Sequence, residues 1–587
     1  MQTPETNRLL TVASAWASDD PDPQTRRELN ALLTRARSAD AAALAELADR
    51  FCGNLAFGTA GLRAALGAGP MRMNRMVVRR TASGIVRFLA NRAAGSYRPK
   101  VVVGFDARYN SREFAEDSAA IFTAAGFEVY LMPSALPTPV LAWAVRTLDA
   151  EAGVMVTASH NPPEDNGYKV YVGGRVTDEE GRGAQIVAPI DSEIASLILH
   201  DEPIHEIPLA TTGWTVLPGA GEPGDIEAAY LAAIASVIPS PGEDNARTRS
   251  QLRIVLSAMH GVGGHAMAQA LANAGFSDTH QVAEQAAPDP DFPTVQFPNP
   301  EEPGAIDLSL ALAAKLDADL VIANDPDADR CAAAVATAHG WRMLRGDEVG
   351  WLLGDYLSIR LEPEKVLANS IVSSRMLASI AAAANRAHSE TLTGFKWISR
   401  VRQLGFGYEE ALGYCVAPEL VRDKDGISAG LVLAELASLL KEAGSSLLQR
   451  LDELAVAHGV HITDQLSLRF TDLSRIGVLM QRVRTSAPLE LAGSRITEVV
   501  DLTRASADLP ATDAVVLHTA NRARVIVRPS GTEPKLKCYI ETVAPVGPGD
   551  SLATLREHAQ NECALIKTEL ATFFADLPEM NTETPTI

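Results

Sequence analysis

With 587 residues, 47% of them hydrophobic, and a formal charge of −21, the chain exceeds one core and calls for roughly three to five domains of ~100 to 200 residues each. That charge argues against a nucleic-acid or anionic-membrane partner, since either needs a basic surface to displace counterions. Cys52, Cys331, Cys415, Cys538 and Cys563 are scattered without any C-x-x-C pair, which points away from a zinc site or disulfide framework and toward a reducing cytoplasm.

In chain order, the first ~50 residues read as a helical cap: Asp20-Pro21-Asp22-Pro23-Gln24-Thr25 is a helix start, and Leu29, Leu32 and Leu33 share one face. Leu9 to Ala17, after Arg8, imitates a weak secretory signal, but Thr11 and Ser14 interrupt it and Glu5 occupies the would-be basic region. No stretch approaches the ~20 apolar residues of a membrane span. A buried-strand run at Val101–Phe105 leads into a helix from Arg112 to Gly126, a strand at Val129–Met132 and another at Ala152–Thr157. The rhythm recurs with strands at Arg253–Ser257 and Ala318–Ala323 around a helix ending near Gly275, and again with Lys365–Asn369 before a helix over Met376–Ala384. Strands separated by helical segments predict mixed α/β domains with largely parallel pairing. After about residue 460 shorter strands follow, at Leu466–Phe470, Ala514–His518, Arg524–Arg528 and Leu536–Glu541, before a last helix over Leu552–Phe574. His205 to Asp225 reads as a linker, Pro239 to Ser250 as a second polar stretch, and the tail after Pro578 as disordered.

Chemistry concentrates in a few loops. Ser159 follows an apolar strand and precedes His160-Asn161-Pro162-Pro163, where two prolines forbid both ladder pairing and an immediate helix. Its hydroxyl is expected on an exposed, rigid loop at a strand end, where open α/β sheets place their sites; a plain turn serine is the alternative. Asp325, Asp327 and Asp329 leave a strand at alternate positions, so three carboxylates can converge on one hard cation of Mg²⁺ type. Pro326 inside the loop, Arg330 at its sixth position and Ala336 at its twelfth exclude an EF-hand. A haloacid-dehalogenase-type phosphatase also carries a strand-end Asp-x-Asp, but that reading leaves Ser159 idle; a solvated acidic turn is the bland alternative.

Phe57-Gly58-Thr59-Ala60-Gly61-Leu62-Arg63 allows close backbone approach to an anion, with Arg63 as the phosphate contact. Gly261-x-Gly263-x-x-Ala266 imitates a dinucleotide fingerprint, yet no clear acidic residue stands at the expected strand end, so it reads as a tight turn packing helix on strand. Arg528-Pro529-Ser530-Gly531-Thr532 offers a guanidinium fork, two hydroxyls and backbone N–H groups for a non-reacting phosphate, with Lys535 adding charge.

In their order and chemistry, Thr157–Pro162, Asp325–Arg330, Gly407–Gly413 and Arg528–Glu533 resemble the α-D-phosphohexomutases, the superfamily of phosphoglucomutase and phosphomannomutase, over nearly the whole chain. The resemblance implies an α/β protein with three mixed α/β domains and a smaller C-terminal α+β domain around a central cleft. Its parts would be a helical cap with a phosphoserine domain at 1–205, a metal-binding domain at 206–340, a sugar-binding domain at 341–458 and a phosphate-binding domain at 459–587. It makes Ser159 the phosphoserine and, with Asp325, Asp327 and Asp329, a Mg²⁺ ligand. His160 and Lys169 become candidates for proton transfer, the lysine aided by a pKa lowered by neighbouring cations. Arg330 and Arg63 would face the phosphoryl group, Glu409 would receive sugar hydroxyls and Lys396 would touch substrate. Arg528, Ser530, Gly531, Thr532 and Lys535 would hold the second phosphate. Ala411 stands where many hexomutases have a serine, and with Thr393–Trp397 it resembles the type-2 phosphoglucomutase branch. The implied activity is an intramolecular phosphotransferase moving a phosphoryl group between C1 and C6 of glucose or mannose phosphate, with glucose 1,6-bisphosphate as activator. Phosphopentomutase, glucose-1,6-bisphosphate synthase and a non-catalytic sugar-phosphate sensor stay open as alternatives. The implied partner is a small-molecule sugar phosphate, with neither nucleic acid nor membrane; oligomeric state is not legible.

Overall fold

A computed structural model describes residues 3–56, 61–240, 242–470, 474–504, 509–530 and 535–575. Three short helices, Pro4–Asp19, Pro23–Arg37 and Ala41–Arg50, form the expected N-terminal cap around Leu29, Leu33 and Leu47. Asp22 and Asp40 cap the second and third, each accepting from the N–H two residues on, which satisfies donors that a helix start leaves open.

Four sheets follow. The first has the spatial order Leu62–Ala65, Asp165–Val172, Ala152–Val156, Lys100–Phe105, Glu128–Leu131, Thr215–Val216. Its centre is parallel and its 62–65 side antiparallel. Ala152–Val156 is buried along its whole length, as a strand covered by helices on both faces must be. The stretch expected as a linker supplies the edge strand Thr215–Val216, parallel to Glu128–Leu131. The second sheet runs Gly340–Met343, Ala332–Thr337, Leu320–Ala323, Ile254–Ser257, Thr279–Gln281, and the third His388–Thr391, Val366–Ser370, Leu404–Glu409, Gly413–Cys415. Pairing is therefore mixed in all three, parallel at the centre with antiparallel additions at one side. The fourth sheet is antiparallel throughout, from Val460–Arg469 to Glu490–Leu491, and packs against the helix Leu552–Ala575.

One interior joins the second and third sheets through the buried helix Gly426–Glu442. Pro239–Ser250 is not simply a polar connection: it contains the helix Glu243–Ser250, and Arg249, 1% exposed, donates to Glu435 at 2.6 Å. Among the described residues no helix is long and apolar enough to cross a membrane.

Candidate active site

Strand ends from the first two sheets meet. The Ser159 loop leaves Ala152–Val156 and the aspartate loop leaves Leu320–Ala323, and the Ser159 hydroxyl donates to Asp325 Oδ2 at 2.8 Å. Thr138 clamps the same junction: its N–H donates to the Asp327 carbonyl at 2.9 Å and its hydroxyl to Asp327 Oδ2 at 2.6 Å. The loop expected at the surface is closed over, leaving Ser159 only 1% exposed at a left-handed φ of 54°. His160 Nδ1 lies 3.2 Å from Ser159 Oγ. Gly261 is the tight turn that the sequence implies: a Cβ there would stand 2.3 Å from Pro326 Cα, so only glycine lets the two loops touch.

Asp325, Asp327 and Asp329 are all buried, and one oxygen of each lies within 4.8 Å of the others. Asp327 Oδ1 and Asp329 Oδ1 are buried without a hydrogen-bond partner among the described residues. Buried acceptors are nearly always satisfied, and an all-oxygen donor set beside a serine hydroxyl suits a hard divalent cation. The residues present fit Mg²⁺.

Cations ring this cluster. Lys169 Nζ donates to Asp327 at 2.6 Å and Asp329 at 2.7 Å, and Lys424 Nζ lies 3.2 Å from Asp329. Arg330 Nε stands 3.8 Å from Asp325, and Arg63 Nη1 reaches Asn161 Oδ1 at 3.4 Å. Burial pushes the Asp325 carboxyl up to about 8, helped by Asp327 and Asp329. Burial also works on Asp327 and Asp329, but Lys169 acts against it on both and Lys424 on Asp329, holding them below the ordinary value. The pKa of Lys169 is raised, not lowered as expected: burial disfavours its charge, but the two carboxylates in contact outweigh burial and the nearby cations. His160 is held well below its usual value by burial, then by Arg330 and Arg63.

The third sheet adjoins the cluster, and the fourth faces the third. Glu409 ends the strand Leu404–Glu409, and Gly413, paired with it, also bridges to Arg330. Burial raises the Glu409 carboxyl while Lys424 opposes the shift. Glu410 accepts from Ser370 and Ser373 hydroxyls at 3.1 and 3.0 Å. Arg528 lies in Arg524–Pro529, opposite Lys537; burial raises the Tyr539 phenol, Glu410 and Glu409 add to the shift, and Arg528 opposes it. The Ser530 N–H donates to the Lys535 carbonyl at 2.8 Å. Gly531 and Thr532, like Phe57 to Ala60 and the tail after Pro578, lie outside the described residues. Lys396 is not aimed at the carboxylates: its ammonium faces Asp191 at 3.9 Å, while the adjacent Phe395 ring lies 5.6 Å from Lys424 Nζ.

Sequence reasoning missed Lys424, Thr138, Arg108 and Glu301, which lies 3.9 Å from Arg330. Lys424 had a signal, since Asp423-Lys424-Asp425-Gly426 sits at a helix start. Thr138 and Glu301 carry no local pattern.

Four profiles of the phosphoglucomutase/phosphomannomutase family match the chain: alpha/beta/alpha domain I at residues 54–197, domain II at 228–340, domain III at 345–456 and the C-terminal domain at 491–546. The chain belongs to this family, and with it to the α-D-phosphohexomutases. It is accordingly an intramolecular phosphotransferase of the isomerase class. It is 44% identical over 475 residues to a probable phosphomannomutase of Haemophilus influenzae, covering 80% of this chain and 93% of that one. It is 35% identical to a phosphopentomutase of Mus musculus, covering 94% and 93%, and 33% identical to a glucose 1,6-bisphosphate synthase of Mus musculus, covering 93% and 91%. The open form of parafusin, a phosphoglucomutase from Paramecium, shares the fold at a TM-score of 0.67 and 17% identity, covering 90% of this chain and 98% of that one.

Proposed function

We propose that this phosphohexomutase moves a phosphoryl group between C1 and C6 of a hexose phosphate, glucose or mannose, through phosphorylated Ser159 and a sugar bisphosphate. The observation that carries the reading is the 2.8 Å contact of Ser159 Oγ with Asp325, beside two buried carboxylate oxygens that have no hydrogen-bond partner among the described residues. A hydroxyl so placed can take and return a phosphoryl group.

Asp325, Asp327, Asp329 and the Ser159 oxygen would hold Mg²⁺, which supplies charge neutralisation for the transferring group. Phosphoryl transfer needs that and alignment more than covalent assistance. In the first half, a sugar hydroxyl forms the new O–P bond as the Ser159 O–P bond breaks, and its proton passes to Lys169, an amine at that point. Arg63 and Arg330 face the same loops and stabilise the equatorial oxygens. In the return half, Ser159 Oγ attacks the other phosphate of the bisphosphate as the bond from that phosphorus to the sugar oxygen breaks; the serine proton passes to His160, whose Nδ1 lies 3.2 Å away, and the Lys169 ammonium gives the departing sugar oxygen its proton. His160 gives that proton back when Ser159 next leaves. Lys169, held as an ammonium, is suited to donating. Glu409 would receive sugar hydroxyls, Lys396 would reach substrate from beside Phe395, and Arg528, Ser530, Gly531, Thr532 and Lys535 would grip the phosphate that is not reacting.

The reading divides the chain at about 205, 340 and 458, near where one sheet gives way to the next, although the first sheet draws its edge strand Thr215–Val216 from beyond 205 and the second runs on to Met343. A reducing cytoplasm accords with five free thiols. Two relatives favour a second reading: the branch named for phosphopentomutase and glucose 1,6-bisphosphate synthase covers nine-tenths of the chain. Ala411 is a departure in the same direction.

³¹P NMR of the enzyme with Mg²⁺, glucose 1-phosphate and a trace of glucose 1,6-bisphosphate tests the reading. Glucose 6-phosphate should appear with total ester conserved. Release of inorganic phosphate would make the chain a phosphatase, and binding without turnover would make it a sensor.

A further inference from the structure

Arg108 lies in a loop that the mechanism above does not use. It follows the strand Lys100–Phe105, its side chain is 1% exposed, and its guanidinium points at the Ser159 loop from behind. Nη2 donates to the carbonyls of Ser159 at 2.7 Å and Asn161 at 2.5 Å; Nη1 donates to those of Pro162 at 2.7 Å and Asp165 at 3.1 Å. Four carbonyl dipoles aimed at one point repel one another, and only a cation between them makes that shape stable. Before the strand that starts at Asp165, the loop's own backbone bonds are few, Asn161 N–H to the Ala158 carbonyl and Asp165 N–H to the Pro162 carbonyl, each at 3.1 Å; Pro162 and Pro163 lack donors, and Ser159 sits at a left-handed φ of 54°, a strained conformation for a residue with a side chain.

The surroundings are built for the same purpose. Asp106 lies 3.4 Å from Arg108 Nε and is itself fixed by the Arg108 N–H at 3.0 Å and the Ser111 hydroxyl at 2.6 Å. Asn166, at the far end of the serine loop, donates to the Tyr109 carbonyl at 2.8 Å. From the other side, the segment leading to the aspartate loop covers the guanidinium with the Phe292 ring, 4.9 Å from its central carbon, and Tyr109 donates to Asp291 at 2.8 Å. Arg108 thus holds the Ser159 loop directly and packs under Phe292, in the segment that precedes the aspartate loop, without touching Asp325 itself.

We infer that Arg108 is a positioning residue for phosphoryl transfer: by gathering four carbonyls of the Ser159 loop under Phe292, it sets where the serine oxygen stands relative to Asp325. The inference rests on Ser159 being the phosphoryl carrier. A planar fork with five donors can span four carbonyls; an ammonium at the end of a lysine cannot. A serine oxygen displaced by about 1 Å costs on the order of a hundredfold in rate while leaving substrate binding intact.

The test is rapid-quench intact mass of Arg108→Lys, following phosphate arrival on the protein from glucose 1,6-bisphosphate, alongside steady-state kinetics and melting temperature. The expected result is a folded variant whose transfer rate and kcat fall by about a hundredfold, with KM for glucose 1-phosphate within about threefold of the parent. A folded Arg108→Lys that transfers at the parental rate overturns the inference, as does one whose loss lies wholly in KM. If Arg108→Lys does not fold, Asp106→Asn and Phe292→Leu decide: slower transfer at unchanged KM supports the inference, and parental transfer in both overturns it. Ser159→Ala separates the two levels. An active Ser159→Ala removes the carrier itself, whereas an inactive one beside a parental Arg108→Lys removes only the role of Arg108.

Discussion

Asp327 uses its two oxygens differently: Oδ2 takes Lys169 and Thr138, while Oδ1 has no hydrogen-bond partner among the described residues. Asp327→Asn replaces a charged ligand by an amide, so the Mg²⁺ concentration for half activity should rise by at least about tenfold, the lower bound for losing even an outer-shell partner. Titration with Mg²⁺ coincident with the parent would show that these aspartates are not the cage. Lys169→Met should destabilise the metal-free protein by about 3 to 5 kcal/mol, because it leaves two buried carboxylates without their ammonium. Added Mg²⁺ should recover part of that loss in a melting experiment, and an equal loss with and without metal would contradict the placement. Ser159, His160 and the three aspartates were legible because each set is contiguous and ends an apolar strand. Lys424 and Thr138 were not, since their partners Asp329 and Asp327 lie far away in sequence. The lowered Lys169 pKa failed for a similar reason: the neighbouring cations could be anticipated, but not two carboxylates within 2.7 Å.

Between the third and fourth sheets, Glu541 on Lys535–Ala544 ties two elements together. It is 3% exposed and accepts from Ser374 Oγ at 2.7 Å, Arg375 Nε at 2.6 Å and His461 Nδ1 at 2.9 Å, with Arg524 at 3.3 Å. Burial disfavours its charge, but Arg524, His461 and Arg375 prevail and hold the carboxyl far below the ordinary 4.5. A depressed folded value adds stability above the unfolded pKa and loses it as pH falls through the folded one. Glu541→Gln should therefore cost about 3 to 5 kcal/mol at neutral pH, with the gap to the parent narrowing only below about pH 4.5. Denaturant melts across pH read this directly, and a gap that widens on acidification would contradict it. Strands such as Lys100–Phe105 were readable as apolar runs. Ser494–Asp501 was missed because most of its residues face solvent and it alternates Thr, Glu and Val without a buried face. The Glu243–Ser250 helix was missed because Ala246 is its one apolar residue, although Arg249 turns inward.

At the scale of the whole molecule, three sheets supply the groups around the carboxylates and the fourth faces Glu409 and Glu410 through Tyr539, which is how order along the chain became one cluster. Short motifs made that grouping legible, but not its closure: burial of Ser159 is a property of packed domains, which no single loop encodes. Substrate choice belongs to this scale too. Ala411 leaves the turn between Leu404–Glu409 and Gly413–Cys415 without a hydroxyl, and a site lacking one polar contact cannot strongly penalise substrates that lack its counterpart. Both glucose 1-phosphate and ribose 1-phosphate should turn over, with glucose favoured. Ala411→Ser should raise the hexose to pentose ratio of kcat/KM by roughly three- to tenfold, the worth of one neutral hydrogen bond; an unchanged ratio would remove this account of the sugar loop. The central claim is that Ser159 carries the phosphoryl group, and peptide mapping by mass spectrometry tests it most directly. After incubation with glucose 1,6-bisphosphate and Mg²⁺, one phosphate should be found on Ser159, should pass to added glucose 1-phosphate, and should be absent from an inactive Ser159→Ala. Full activity in Ser159→Ala, or a phosphate mapped to another residue and still transferred, would contradict it.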